Sequence, residues 1–283
     1  MDDSSNIPVL FGDPPESPVL HYERMNLEQV RQQVADEGYA VVKGLVPLEL
    51  ISRVRDFWIK TFSNTTPTSR VTWSPYIGQE SHVGFSSDKF QHLFRACDFL
   101  WNDPLHAETR DICLRVNALR NVVINEDPLL GIRFGYGRYG IFVTASYYPG
   151  GEGYMQMHAD GGTGNVMLVH SLVPITFKGK DYKEGGMLIV NRKGQEVDVD
   201  SQVEPGDAIF YDGSLKHAVM PVVSYPGQTL GRLQIFPIPA IFSSLDSNIR
   251  ALAKIPTARF IASKWFSLKN KLRITFGFNP SLR

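Results

Sequence analysis

The stretch from Glu204 to Val222 reads EPGDAIFYDGSLKHAVMPV, and it alternates turn residues with short apolar runs. The turn signal PGD at 205–207 precedes the run AIFY, and the turn signal DG at 212–213 precedes the run HAVMPV. Short apolar, β-branched runs bounded by such signals are typical of strands. The stretch therefore predicts two strands joined by a tight connection, with His217 at the start of the second strand.

The same rhythm extends over the second half of the chain. From about residue 132 onward, apolar runs recur at a spacing of roughly 8 to 15 residues, and Gly, Pro, Asp and Asn lie between them. The further runs are GIFVTASYY, GYMQMHAD, NVMLVHSLVPIT, GGMLIVN, QEVDV and GRLQIFPIP. This spacing favours an antiparallel sandwich or barrel.

The first half of the chain carries helical patterns. Asn26 followed by Gln29 resembles a capping box, and it predicts a helix that Gly38 ends. The run YAVVKGLV predicts a buried strand, and PLELISRVRDFWIKTF predicts a second helix with one apolar side. Residues 63–90 show no periodicity and are expected to be irregular, whereas residues 91–120 are expected to be helical.

The composition is that of a globular protein in one large domain. Of the 283 residues, 43% are hydrophobic and 20% are charged, and no apolar run reaches the ~18 residues that a membrane span needs. The N-terminal sequence lacks the apolar segment of a signal peptide, which predicts a cytoplasmic protein. We expect an N-terminal arm at 1–24, a main domain at 25–240 and a basic, helical extension of that domain at 241–283.

Three residues of the β-rich half can ligate a metal. The stretch YMQMHADGG at 154–162 holds His158 and Asp160, separated by one small residue. In an extended strand, alternate side chains from position 154 to position 160 share one face. With His217, these residues supply two imidazoles and one carboxylate, the set that suits a non-haem Fe(II) centre with open coordination positions. Arg232 follows on the run GRLQIFPIP, where a guanidinium can hold a carboxylate through a planar, bidentate contact.

Together these elements resemble the Fe(II)/2-oxoglutarate-dependent oxygenases. The match runs through His158-x-Asp160, then GGMLIV at 185–190, then PGDAIFYDGSLKHAV with His217, and then Arg232. The opening EGYAVVKGLVPLELISRVRDFW resembles the phytanoyl-CoA hydroxylase-like branch of that family. The resemblance covers residues 27–60 and 140–238. It implies a mainly β fold with flanking α-helices, in which N-terminal helices pack against a double-stranded β-helix, a jelly-roll or cupin-like barrel.

The resemblance also implies a chemistry. Iron would bind the two histidines and the aspartate, and 2-oxoglutarate would chelate the iron with its far carboxylate on Arg232. One of Thr144, Tyr147 and Gln156 is expected to hydrogen-bond 2-oxoglutarate. With O2, the centre would oxidise a C–H bond of a small molecule and release succinate and CO2. Related halogenases have Ala or Gly at the position of Asp160, so the carboxylate favours hydroxylation, or desaturation or ring formation, over halogenation.

The segment from Ser63 to Phe90 is the predicted lid over this site. It carries side chains that combine apolar bodies with polar tips, which suit the orientation of a small substrate. They are Arg70, Trp73, Tyr76, His82 and Phe85. We expect the segment to order when ligand binds. His170, on a strand near the site, is interpreted as a structural histidine.

Two other classes of function stay open. One is a nucleic-acid or protein demethylase or hydroxylase of the same superfamily, although equal numbers of basic and acidic residues, 29 each, argue against a nucleic-acid partner. The other is a cupin-like metal protein that uses no 2-oxoglutarate and so makes no succinate. The basic and apolar stretch 257–273 could contact a membrane surface. Its packing against the barrel or against a second subunit of a homo-oligomer is favoured.

Overall fold

The computed structural model describes residues 27–64, 72–73, 77–87, 90–100, 106–130, 139–160 and 169–241. The predicted arm at 1–24 and nearly all of the predicted extension at 241–283 lie outside these residues. In the part of the chain that is described, no helix has both the length and the apolar character needed to cross a bilayer.

The described residues contain three α-helices, one 3₁₀ turn and twelve strands. The helices are α1 (Leu27–Glu37), α2 (Leu48–Asn64) and α3 (Ala107–Val123), and the 3₁₀ turn is Asp200–Gln202. The strands are β1 (Tyr39–Val42), β2 (Thr72–Trp73), β3 (Ile77–Ser87), β4 (Phe90–Leu100), β5 (Tyr139–Tyr148), β6 (Tyr154–His158), β7 (Val169–Pro174), β8 (Glu184–Val190), β9 (Glu196–Asp198), β10 (Ala208–Asp212), β11 (His217–Val223) and β12 (Arg232–Ile241).

Antiparallel pairing joins the strands in one continuous hydrogen-bonded order. Hydrogen bonds place them in the order β1-β10-β7-β12-β5-β4-β6-β11-β8-β9, with β3 beside β4 and β2 beside β3. Among the described residues the two ends of this order, β1 and β9, do not pair, so the strands do not close into a barrel. The arrangement confirms the predicted mainly β fold with flanking helices.

Helix α1 packs against β1 and β10, and helix α3 packs against three further strands. Gly38 ends α1 in a left-handed conformation with φ of 84°, as the sequence predicts. Trp58 of α2 is fully buried, and its indole N–H donates to Thr109 Oγ1 of α3 at 2.8 Å. Helix α3 contacts β5, β7 and β12. The apolar side of the helices thus completes the core that these strands begin.

The prediction for residues 63–100 is wrong in two places. Residues 77–87 are not irregular but form β3, and residues 91–100 are not helical but belong to β4. The apolar residues of β4 recur every three or four positions, which favours a helix when the sequence is read alone. Strand β4 pairs with β3, β5 and β6, and these partners outweigh the local preference. The predicted lid therefore contains two strands of the sheet, β2 and β3.

Candidate metal centre

Two neighbouring strands and the turn after one of them bring the predicted metal ligands together. His158 ends β6 and His217 begins β11, and the two residues face each other in the antiparallel register. The backbone N–H of Asp160 donates to the carbonyl of Gly213 at 2.8 Å, which holds the chain beside the β10–β11 connection. Residues distant in sequence therefore meet at one end of the strand pair.

The potential ligand atoms form a compact group. His158 Nε2 lies 3.6 Å from Asp160 Oδ1, and His217 Nε2 lies 3.6 Å from Asp160 Oδ2. The two imidazole rings have their centroids 4.2 Å apart. All three ligand atoms lie within 4.8 Å of one another. This spacing allows one ion to contact two nitrogens and one carboxylate oxygen.

Backbone carbonyls set the tautomers of both histidines. His158 Nδ1 lies 2.8 Å from the carbonyl of Gln156, and His217 Nδ1 lies 2.9 Å from the carbonyl of Leu215. A carbonyl oxygen can only accept, so each Nδ1 carries the hydrogen, and in the neutral ring Nε2 keeps its lone pair. Metal-ligating histidines are commonly oriented in this way by their other nitrogen.

The electrostatics of the cluster favour the protonation states that a metal requires. Burial lowers the pKa of His217, and the nearby His158 imidazole acts in the same direction. Burial alone would raise the pKa of Asp160, but His170, His217 and His158 more than offset this effect and hold that pKa below its usual range. A neutral imidazole and an ionised carboxylate are the forms that bind metal.

The cluster opens into a cavity of about 410 Å³ that is lined by residues of β4 to β8 and β10 to β12. Its walls are mostly apolar, and they include Phe94, Met155, Leu172, Met187, Phe236 and Ile238. Arg232 and Thr144 are polar groups on the same walls. A concave, largely apolar space with a few convergent polar groups is the usual form of a small-molecule site.

Arg232 is buried in the cavity wall and is already paired. Its side chain is only 1% exposed, and its Nε and Nη2 donate to the two carboxylate oxygens of Asp200 at 2.6 and 3.1 Å. Its Nη1 donates to Gln234 Oε1. Asp200 also accepts from the Tyr182 hydroxyl at 2.6 Å and from the Met187 backbone N–H at 2.9 Å. The predicted carboxylate-binding arginine thus belongs to a buried polar network.

Asp200 is the residue of this region that sequence reasoning missed. Its signal is indirect and lies in the glycine pair of GGMLIV. A Cβ on Gly186 would lie 2.3 Å from Asp200 Oδ2, and Gly186 has a φ of 96° that side chains rarely adopt. Glycine at this position therefore leaves space for the carboxylate that pairs with Arg232.

The three candidate partners of 2-oxoglutarate lie in different places. Thr144 lines the cavity, and its buried Oγ1 has no hydrogen-bond partner among the described residues. Tyr147 lies on the other face of β5, where its hydroxyl donates to the carbonyl of Thr229 at 3.1 Å. Gln156 is exposed and does not line the cavity.

An irregularity in β6 explains the position of Gln156. His217 pairs with His158 and Val219 pairs with Met155, so three residue steps on β6 oppose two on β11. The extra residue breaks strict alternation, and both Met155 and His158 reach the cavity. The simple alternating face predicted from position 154 to position 160 does not hold across this irregularity.

The predicted substrate residues remain without a described contact to the cavity. Arg70 and Tyr76 lie outside the described residues, whereas Trp73 lies on β2, and His82 and Phe85 lie on β3. A role for these five residues in substrate binding stays a prediction.

Several solved structures are similar to this chain at low sequence identity. A prolyl-4-hydroxylase of Pseudomonas putida is 16% identical, with a TM-score of 0.51 over 75% of this chain and 98% of that one. A Trichoplax adhaerens prolyl hydroxylase is 12% identical, with a TM-score of 0.49 over 77% and 89%. A 2OG-Fe(II) oxygenase family oxidoreductase from Burkholderia pseudomallei is 11% identical, with a TM-score of 0.43 over 76% and 91%. No family model and no curated protein matches the chain.

The Pseudomonas similarity confirms the double-stranded β-helix fold that the sequence resemblance implies. The chain is therefore a double-stranded β-helix whose cavity carries a two-histidine, one-carboxylate cluster.

Proposed function

We propose that the protein is a non-haem Fe(II)/2-oxoglutarate-dependent dioxygenase that hydroxylates a C–H bond of a small molecule. The observation that carries this proposal is that the predicted metal ligands and Arg232 line the same cavity. The cluster of His158, Asp160 and His217 and the buried guanidinium therefore face one space. The phytanoyl-CoA hydroxylase-like branch rests on the resemblance of the opening sequence alone and stays a prediction.

The donor set fits a divalent iron ion. His158 and His217 would bind it through Nε2, and Asp160 would bind it through one carboxylate oxygen, with open positions for other ligands. When bound, iron and 2-oxoglutarate supply the oxidising chemistry, with succinate and CO2 as products. The apolar walls of the cavity exclude water and hold an apolar part of the substrate beside the cluster.

Arg232 has N–H groups that can still donate hydrogen bonds to the far carboxylate of 2-oxoglutarate. A guanidinium has five N–H groups, and the bonds to Asp200 and Gln234 use three of them. The two that remain, on Nη1 and Nη2, have no described partner. Asp200 binds the guanidinium through Nε and Nη2. This contact orients the side chain of Arg232 before a ligand binds.

We expect Arg232→Lys to weaken 2-oxoglutarate binding about 10- to 100-fold. Lysine keeps the charge but loses the planar fork, and a hydrogen bond to a charged group contributes about 1.5–3 kcal/mol. The measurement is an anaerobic titration of the Fe(II) protein that follows the visible charge-transfer band of the chelate. 2-Oxobutyrate, which lacks the far carboxylate, is the matched control and should bind both proteins equally. An equal loss for both acids would place the carboxylate contact elsewhere.

Thr144→Val should weaken 2-oxoglutarate binding about two- to tenfold without destabilising the ligand-free protein. The lost hydrogen bond is worth about 0.5–1.5 kcal/mol, while the hydroxyl that is removed has no described partner in the free protein. The same titration, together with thermal unfolding, checks both effects. Tyr147→Phe removes a hydroxyl from the opposite face of β5 and should not change the affinity. Unchanged binding by the Thr144 variant would contradict the assignment.

A second candidate is a cupin-like metal protein that does not use 2-oxoglutarate. The observation in its favour is the ion pair with Asp200, which already balances the charge of Arg232. Anaerobic addition of Fe(II) and then 2-oxoglutarate, followed by exposure to O2, separates the two candidates. A charge-transfer band and succinate support the oxygenase. Metal binding with neither signal supports the cupin-like protein.

A further inference from the structure

His170 lies closer to the carboxylate of Asp160 than either predicted histidine ligand does. It is the second residue of β7, and the register with β10 places it opposite Tyr211. Its Nε2 lies 3.1 Å from Asp160 Oδ2, whereas the Nε2 atoms of His158 and His217 lie 3.6 Å from the nearest oxygen of that carboxylate. The ring lines the cavity and lies against Tyr211, with centroids 5.3 Å apart.

The Nε2 atom of His170 is buried, and it has no aligned hydrogen-bond partner among the described residues. The contact with Asp160 has the distance of a hydrogen bond but not its alignment. A small rotation of either side chain would align it. A buried polar atom without a partner costs about 1–3 kcal/mol, which argues against a purely structural histidine at this position.

Asp160 needs such a partner because the sheet does not fix its side chain. Strand β6 ends at His158, and beyond it the backbone N–H of Asp160 donates to the carbonyl of Gly213. Its side chain is 41% exposed, so packing alone does not select one rotamer. Carboxylates that ligate metals are commonly hydrogen-bonded through neighbouring groups that orient them.

We propose that His170 is a positioning residue of the metal centre. Its Nε2–H donates to Oδ2 of Asp160 and leaves Oδ1 for the metal. The competing role for His170 is that of a fourth protein ligand to the metal. The described residues whose ligand atoms lie mutually within 4.8 Å are His158, Asp160 and His217, and His170 is outside that group. The inference rests on the metal centre of the proposed function, but not on the use of 2-oxoglutarate.

Two substitutions at His170 test this role. His170→Phe keeps a flat ring and removes the donor, whereas His170→Gln keeps an amide N–H at a similar reach. We expect the phenylalanine variant to bind Co(II) about 10- to 100-fold more weakly, the usual effect of losing an outer hydrogen-bond partner. The glutamine variant should recover most of that loss. Ser171→Ala, at the next position of β7, is the matched control and should bind Co(II) as the wild type does.

Absorbance titration measures the affinity, and X-ray absorption of the Co(II) proteins counts the bound imidazoles. We expect two imidazoles in the wild type and in both His170 variants. One imidazole fewer in the phenylalanine variant would make His170 a ligand and overturn the inference. Equal affinity of that variant and the wild type would also overturn it while leaving the proposed function intact. Failure of the wild type to bind Co(II) would contradict both the inference and the metal centre.

Discussion

Replacing His217 by alanine should release the metal and stop the conversion of 2-oxoglutarate to succinate, while the fold stays intact. The substitution removes one of the two proposed imidazole ligands. We therefore expect a loss of metal affinity greater than the roughly 10- to 100-fold that an outer partner contributes. Strand β11 is held by its pairing with β6 and β8, which does not depend on this imidazole. His158→Ala should have the same effect.

Metal content after dialysis, succinate formation and thermal unfolding are the measurements for this prediction. Lys216→Ala is the matched control because Lys216 precedes His217 and its side chain is exposed. The control should keep wild-type metal content and turnover. Full metal retention by either alanine variant, with the fold unchanged, would show that the cluster of His158, Asp160 and His217 is not the metal centre.

Asp200→Asn should lower the free energy of unfolding by about 3–5 kcal/mol, because it leaves the guanidinium of Arg232 buried without a counter-charge. Both side chains are almost fully buried: that of Arg232 is 1% exposed and that of Asp200 is 3% exposed. Exposed ion pairs contribute far less, typically about 0.2–1 kcal/mol. Chemical denaturation of the metal-free protein gives the value directly.

The double variant Asp200→Asn with Arg232→Met is the control for this prediction. It removes both charges, so it should be markedly more stable than the single variant.

Burial would raise the pKa of Asp200, but the ion pair with Arg232 lowers it below its usual range. The stabilisation is therefore complete above the unfolded-state pKa of about 3.9 and is lost as the pH falls through the lower folded-state pKa. A loss below about 1 kcal/mol at neutral pH would show that Asp200 does not compensate the guanidinium.

The β-rich half of the chain was predictable because its signals are local. Gly, Pro and Asp mark the turns, and the runs between them are too short for helices, so the stretch around His217 predicted two strands that the structure contains. The spacing of His158 and Asp160 is local as well. The prediction that they form a metal-ligating set with His217 needed only residue chemistry and the family resemblance.

Residues 90–100 show where a local signal misleads. Their apolar spacing is helical, yet the segment forms β4 because the preceding strand β3 pairs with one side of it and β5 and β6 pair with the other. The prediction that position 156 shares a face with His158 is wrong for a related reason. The extra residue in β6 appears only against the register of β11, and it turns Gln156 away from the cavity.

The sequence by itself determined the two helices at the N-terminus, the antiparallel β-rich half and the types of residue that can bind a metal. These features depend on backbone preferences and side-chain chemistry within a few positions. The tertiary structure alone decided that Asp200 pairs with Arg232, 32 residues away in sequence, and that His170 approaches Asp160. The physical reason is that burial and strand register bring distant side chains into contact, and these contacts set the charge and orientation of the groups that line the cavity.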